Sequence, residues 1–244
     1  MSVPAKAFQQ WLNVVTPGTT MTAVSSMAGI KRSTLAQQLV RGKVAVSTVI
    51  SISRALKLDV LQSLAGFDRY RELSAGSRPP TDAELISQIS DIDLLQQILL
   101  RNAAAQFQTS APAQPLGPLP HATSVRNWIA AIDTVDLRPR ILTDLRMAAQ
   151  NFSAQLSANR LRPDIALAAA RLSGVGLANG LVVTGLLTPE EAGWPPGARA
   201  DALCRLPDAE LVTLSVIRLE ALGKTLRRID QDNEQTMALW ENLG

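Results

Sequence analysis

The sequence predicts an all-α protein of two similar helical domains, each containing a helix–turn–helix unit, joined by a Pro-rich linker. Apolar residues recur with the 3.6-residue period of helices, and no stretch shows the sustained alternation typical of a strand. Residues 109–120 contain four prolines and a glycine and show no periodicity, which is typical of a linker. The segments on either side also match each other when one is shifted by 117 residues.

The first domain, residues 1–108, is expected to contain short helices with one longer helix at its end. Phe8, Trp11 and Leu12 share one face of the opening helix, and Gly29 separates the second helix from the third. Ser47 is suited to cap the fourth helix. The periodicity predicts helices over 5–15, 22–28, 33–41, 47–56, 60–65 and 82–107.

The second domain, residues 123–244, follows the linker 109–122 and is expected to repeat this order. Trp11 matches Trp128, and Gly42 matches Asn159, two residue types that readily adopt a left-handed conformation after a helix. These matches predict an internal duplication; the alternative is two unrelated helical stretches that share a common period. The expected helices cover 124–133, 137–147, 150–158, 163–173, 177–186 and 199–222.

Charge is distributed unevenly along the chain. The first 58 residues contain seven Lys or Arg and no Asp or Glu, whereas the net charge of the whole chain is +3. A surface of one sign suits a polyanion, because each neutralised phosphate releases condensed counterions. Double-stranded DNA is therefore the expected partner.

The helix after Gly29 is the candidate recognition helix. Leu35 and Leu39 are four residues apart and are expected to face the core, which leaves the polar residues for a major groove. The predicted base contacts are Arg32, Ser33, Thr34, Gln37 and Gln38. The predicted phosphate contacts are Lys31, Arg41 and Lys43.

These residues resemble a known family. Gly29 to Leu35, Gln38-Leu39, Gly42 and Val49 to Leu56 are similar to lambda-repressor-like (Xre-type) helix–turn–helix proteins, especially those of actinobacteria and their phages. The resemblance covers residues 20–66 and extends faintly over 1–107. It implies a compact helical DNA-binding domain that regulates transcription, often as a repressor, as in phage immunity. The interval from Gly29 to Gly42 is one residue longer than is common in the family.

The second domain resembles the same family more faintly, and two interpretations remain open. It could be a second DNA-reading module that uses Gln150, Asn151, Arg160 and Arg162, or an interaction domain that kept the fold. If both domains read DNA, the linker, which can extend to about 50 Å, would let one chain cover two half-sites.

Residues 222–244 carry apolar residues at heptad spacing, with Asn233 at a core position. Two interpretations remain open here as well. The segment could pack on its own domain, or it could form a homodimer. The heptad residues are Leu222, Leu226, Ile229, Asn233, Thr236, Trp240 and Leu243.

Other function classes find little support in the sequence. Cys204 is the single cysteine and His121 the single histidine, which argues against a zinc site and a disulfide framework. Cys204 is expected to lie in the core, and His121 in an exposed linker. No motif for a cofactor or for enzyme catalysis is found, and no segment predicts a signal peptide or a membrane span. We expect a cytoplasmic, nucleoid-associated regulator; the alternative is a helix–turn–helix module that binds protein, such as an antirepressor or adaptor.

Overall fold

The computed structural model describes residues 2–108 and 115–241, with side chains described as far as residue 237. Most of these residues are helical, which confirms the all-α prediction. The N-terminal segment contains β1 (Ser2–Pro4), α1 (Ala5–Val15), α2 (Met21–Met27), α3 (Arg32–Val40), β2 (Lys43–Ala45), α4 (Val46–Ala55), α5 (Val60–Ala65), a 3₁₀ helix (Asp68–Ala75), α6 (Asp82–Ser87) and α7 (Asp91–Phe107). The later segment contains α8 (Ser124–Ala131), α9 (Leu137–Asp144), α10 (Ala149–Ser157), α11 (Pro163–Ser173), α12 (Leu177–Val183), α13 (Ala198–Arg205) and α14 (Asp208–Glu241).

Two short strands were not expected from the sequence. β1 and β2 pair antiparallel, with Val3 opposite Val44, and both of these side chains are buried. Each strand has three residues, too few to show the alternation by which a strand is recognised in a sequence. The strand pair joins the start of α1 to the chain that follows α3, and Ala5 N adds a hydrogen bond to Gly42 O at 3.0 Å.

The long helices expected over 82–107 and 199–222 are each broken into two. The Ser90 side chain accepts a hydrogen bond from Asp93 N at 3.1 Å and caps the start of α7. Pro207 directly precedes α14, and a proline within a helix removes a backbone donor. The periodic apolar pattern runs through both breaks, which explains why the sequence predicted single helices.

The first compact unit comprises Met1–Gln88 and Pro118–Ala198. Its buried apolar side chains include Phe8, Leu35, Ile52, Trp128 and Ile165. A polar network is buried among them, since Glu84 and Asn179 are fully buried. Trp128 Nε1 and Asn179 Nδ2 each donate to Glu84 Oε1 at 3.1 Å, and Trp194 Nε1 donates to Asn179 Oδ1 at 2.8 Å.

The second compact unit comprises Ile89–Gly117 and Arg199–Gly244. Its described part is built on α7 and α14, with Leu94 and Leu211 buried. Each unit therefore takes segments from both sides of residues 109–122. This division differs from the predicted domains 1–108 and 123–244, because hydrogen bonds and buried side chains join segments that are distant in sequence.

Three single-residue expectations were wrong. Ser47 does not cap the fourth helix, because α4 begins at Val46 with Ala45 in the N-cap position. Cys204 is exposed on α13, although the apolar pattern placed it in the core. His121 is only partly exposed, because its Nε2 lies 3.2 Å from Ser87 O and its Nδ1 accepts from Thr123 N at 3.3 Å. Within the described ranges, none of the helices is long and apolar enough to cross a bilayer.

Candidate nucleic-acid interface

α2 and α3 form a helix–turn–helix whose turn is defined by backbone contacts. Thr20 caps α2, since its Oγ1 accepts from Ala23 N at 3.3 Å. Gly29 adopts a left-handed φ of 65°, which lets Ile30 N reach Ser25 O at 2.9 Å and ends α2. Leu35 is fully buried and holds α3 against the core. The geometry thus presents the opposite face of α3 to solvent.

The exposed face of α3 and its flanks carries most of the predicted contacts. Arg32, Ser33, Thr34 and Gln37 are exposed on the helix, as are Lys31 before it and Arg41 and Lys43 after it. A polar helix face flanked by cations has the composition that major-groove recognition requires.

Gln38 has a different role from the predicted base contact. Its Oε1 accepts hydrogen bonds from Ala45 N and from Thr48 Oγ1, both at 3.0 Å. This oxygen is therefore engaged within the protein, and the side chain is partly buried. We reassign Gln38 as a residue that ties the end of α3 to β2 and the start of α4. A base contact needs the outward direction that Gln37 has.

The cations of the first 58 residues are nearly free of acidic partners. Arg54 is the exception, since its Nε donates to Glu191 Oε1 at 2.6 Å and the hydrogen bond raises the pKa of the guanidinium. The others are exposed and form no ion pair with any residue that the structure describes. They are Lys6, Lys31, Arg32, Arg41, Lys43 and Lys57. Their positive charge is therefore available to an external anion.

We call residues 1–108 the first half of the chain and residues 123–244 the second half. The helix pair of the second half that corresponds to α2 and α3 is α9 and α10. Phe152 is buried and anchors α10, while Gln150, Asn151 and Arg160 are exposed. Arg162 is exposed but paired, because its Nε donates to Asp164 Oδ1 at 3.0 Å. This ion pair weakens the prediction that Arg162 contacts DNA.

The acidic partner of Arg162 is partly buried. Burial alone raises the pKa of the Asp164 carboxyl, but the hydrogen bond from Arg162 and the charge of Arg69 hold that pKa below its ordinary value. Asp164 is therefore charged at neutral pH and keeps Arg162 oriented along the protein surface.

Two further arginines of the α9–α10 helix pair were not among the predicted site residues. Arg140 on α9 and Arg146 in the turn before α10 are exposed and lack an ion-pair partner in the described part of the chain. The first helix of a helix–turn–helix crosses the DNA backbone, so cations there suit phosphates. The sequence signal that could have identified them is their place in the segment that matches α2, α3 and the turn between them.

Among the residues that the structure describes, no cluster of three or more His, Cys, Asp or Glu side chains has the arrangement to hold a metal ion. Comparison with protein-family models, with curated proteins and with solved structures finds no match.

Proposed function

We propose that this chain is a sequence-specific, double-stranded DNA-binding transcriptional regulator, acting most simply as a repressor that occludes promoter DNA. The observation that carries the proposal is the exposed group of cations around α3, which belongs to a 58-residue segment without Asp or Glu. Protein surfaces usually intersperse the two signs of charge, whereas Lys31, Arg32, Arg41 and Lys43 have no acidic partner among the residues that the structure describes. The family resemblance over 20–66 points to the same function and adds phage immunity as one setting.

The proposed binding separates affinity from specificity. Lys31, Arg41 and Lys43 would contact phosphates and contribute to binding on any sequence. Arg32 and Gln37 would read base edges, since arginine forms two hydrogen bonds with guanine and glutamine forms two with adenine. Ser33 and Thr34 would add shorter contacts at the start of α3.

The test begins with selection of bound duplexes from a random pool, followed by titration at several salt concentrations. Each phosphate contact contributes about 0.9 to the slope of log affinity against log salt. The double variant R41Q/K43Q should therefore lower the slope by about 1.8 and weaken binding on every sequence. R228Q is the matched control, because that arginine is exposed on α14, outside the α2–α3 unit.

Specificity is tested on the selected sequence and its single-base variants. Q37A should reduce discrimination at one or two base pairs by about 1–3 kcal/mol, with little change in the salt slope. Absence of any enriched sequence, or an affinity that does not respond to salt, would contradict the proposal. In that case a protein partner, as for an antirepressor or adaptor, becomes the better interpretation.

We also propose that α14 joins two copies of the chain through a parallel coiled coil. The heptad pattern of 222–244 extends back to Val212 and Leu219, and the apolar stripe is open to solvent. Leu222, Leu226 and Ile229 are 41%, 50% and 47% exposed. This argues against packing on the same chain, the first of the two earlier interpretations. Asn233, also exposed, falls at an a position, where asparagine specifies two strands in register. Trp240 and Leu243 lie outside the described side chains.

A further inference from the structure

Left-handed backbone positions recur at a fixed interval along the chain. Positive φ is rare for residues other than glycine, so its location is a sensitive marker of backbone similarity. Arg146, Asn159 and Lys57 all adopt it, and each lies 117 residues from a glycine that does the same. The matched pairs are Gly29 with Arg146, Gly42 with Asn159, Lys57 with Gly174, and Gly76 with Gly193.

Individual hydrogen bonds recur at the same interval. Gln38 Oε1 accepts from Ala45 N at 3.0 Å, and Gln155 Oε1 accepts from the backbone N of Arg162 at 3.0 Å. The acceptor lies on the recognition helix and the donor seven residues later in both cases. α3 and α10 themselves span matching residues, Arg32–Val40 and Ala149–Ser157. The local resemblance therefore extends to side-chain contacts.

In the second compact unit the matched segments bind each other reciprocally. Arg101 Nη1 donates to Leu206 O at 2.7 Å and to Asp208 Oδ1 at 2.6 Å. Arg218 Nη1 donates to Ile89 O at 2.6 Å and lies 3.5 Å from Asp91 Oδ1. The donors match at the 117-residue interval, and so do their acceptors. An exchange in which each copy makes the other's contact is the signature of a twofold, isologous interface.

The first compact unit contains a looser exchange of the same kind. Arg54 donates to Glu191, and Arg171 donates to Glu72 Oε2 at 2.8 Å. Glu191 lies in the segment after α12, and Glu72 lies in the 3₁₀ helix after α5. The two arginines match at the same interval, and their acidic partners occupy neighbouring places after matching helices. Both compact units thus contain reciprocal contacts between residues of 1–108 and residues of 123–244.

We propose that the two halves pair as the subunits of a twofold dimer do, so that one chain presents two related recognition helices, α3 and α10, to two half-sites on a single duplex. The pairing stands on the reciprocal contacts alone. Its consequence for DNA rests on the proposed function. Twofold-related helices read half-sites in inverted orientation, as the symmetry of dimeric helix–turn–helix proteins requires.

The two half-sites are expected to be unequal. Lys31, Arg32 and Arg41 of the first half correspond to Ala148, Ala149 and Ala158, whereas Lys43 corresponds to Arg160. α10 has polar residues at its exposed start, Gln150 and Asn151, but Arg160 is the one flanking cation that it shares with α3. The positive charge near α10 comes instead from Arg140 on α9 and from Arg146 in the turn between the two helices. The α10 half-site therefore differs in sequence and depends less on phosphates beside the recognition helix.

The pairing is tested without DNA by introducing a specific protease site within 109–114 of the full chain and cleaving the folded protein. The two fragments should migrate as a single species of unchanged mass in native size-exclusion chromatography with light scattering, and separate only in denaturant. The uncleaved protein with the same insertion is the control. Separation of the fragments under native conditions would overturn the pairing.

The second arm is hydroxyl-radical footprinting of the intact chain on its selected duplex. Two protected patches are expected; Q37A should weaken protection in one, and the double variant Q150A/N151A in the other. A single protected patch, weakened by Q37A alone, would overturn the inference while leaving the proposed function intact. Absence of DNA binding together with fragments that remain associated would refute the proposed function and leave the pairing in place.

Discussion

The buried carboxylate of Glu84 offers a sharp test of what holds the first compact unit together. Glu84 is fully buried and comes from the N-terminal half, whereas its donors Trp128 and Asn179 come from the other half. It also completes a capping box, because its Oε2 accepts from Thr81 N at 3.0 Å. One side chain therefore joins the start of α6 to α8 and α12.

Substitution E84A should lower the free energy of unfolding by about 3–7 kcal/mol. It leaves two buried donors without an acceptor, each costing about 1–3 kcal/mol, and it removes a cap worth about 1 kcal/mol. E84Q keeps the size of the side chain but presents an amide donor on one side of the network, so a smaller loss of about 1–3 kcal/mol is expected.

The assay is urea denaturation followed by tryptophan fluorescence, since Trp128 and Trp194 both take part in the network. The matched control is E72A, which truncates the same type of side chain in an exposed pair with Arg171 and should cost at most about 1 kcal/mol. If E84A costs no more than E72A, the network does not hold the halves together, and the reasoning from burial fails.

Three further predictions follow from single contacts. Burial raises the pKa of Tyr70, the sole tyrosine, to about 12. Ultraviolet titration of the folded protein should therefore show its phenol ionising near that pH, and the free energy of unfolding should fall as pH rises above 10. A midpoint near 10 would contradict the burial. The hydrogen bond from Arg54 lowers the pKa of Glu191 from 4.5. The difference in unfolding free energy between the native protein and E191Q should therefore be largest above pH 4.5 and disappear as pH falls through the lowered pKa. A difference that stays unchanged in acid would contradict this. Deleting 222–244 should abolish concentration-dependent mass in light scattering, whereas a native chain of constant monomer mass would exclude the coiled coil.

The helices were largely predictable because apolar spacing, Gly29 and Pro163 mark them locally. Their bounds agree within a few residues except at three places. Breaks at Ser90 and Pro207 interrupt a continuous apolar pattern, and α14 continues to Glu241 where the predicted helix ended at 222. The two compact units were not predictable, because they depend on contacts such as Glu84 with Trp128, between residues 44 apart in sequence. Such pairings leave no periodic signal.

The candidate interface was predictable to the extent that it depends on helix geometry. Once Leu35 is placed inward, Ser33 and Gln37, each two residues away, must face outward, and the structure has them exposed. Gln38 lies beside them in sequence but bonds to β2 and α4, whose positions follow from the tertiary fold. The Arg162–Asp164 ion pair, by contrast, could have been predicted, because the two opposite charges are only two residues apart in the sequence.

Reciprocal pairing and flexible tethering predict different effects of linker length on DNA affinity. For two independent modules, the effective concentration of the second falls roughly as the −3/2 power of linker length, so quadrupling a flexible linker would weaken binding about eightfold. For halves that already contact each other through Arg101 and Arg218, linker length enters neither the pairing nor the spacing of the modules. Inserting Gly-Ser repeats within 109–114 should therefore leave affinity for the selected duplex unchanged within about twofold. A progressive loss with each added repeat would show that the modules act as tethered domains.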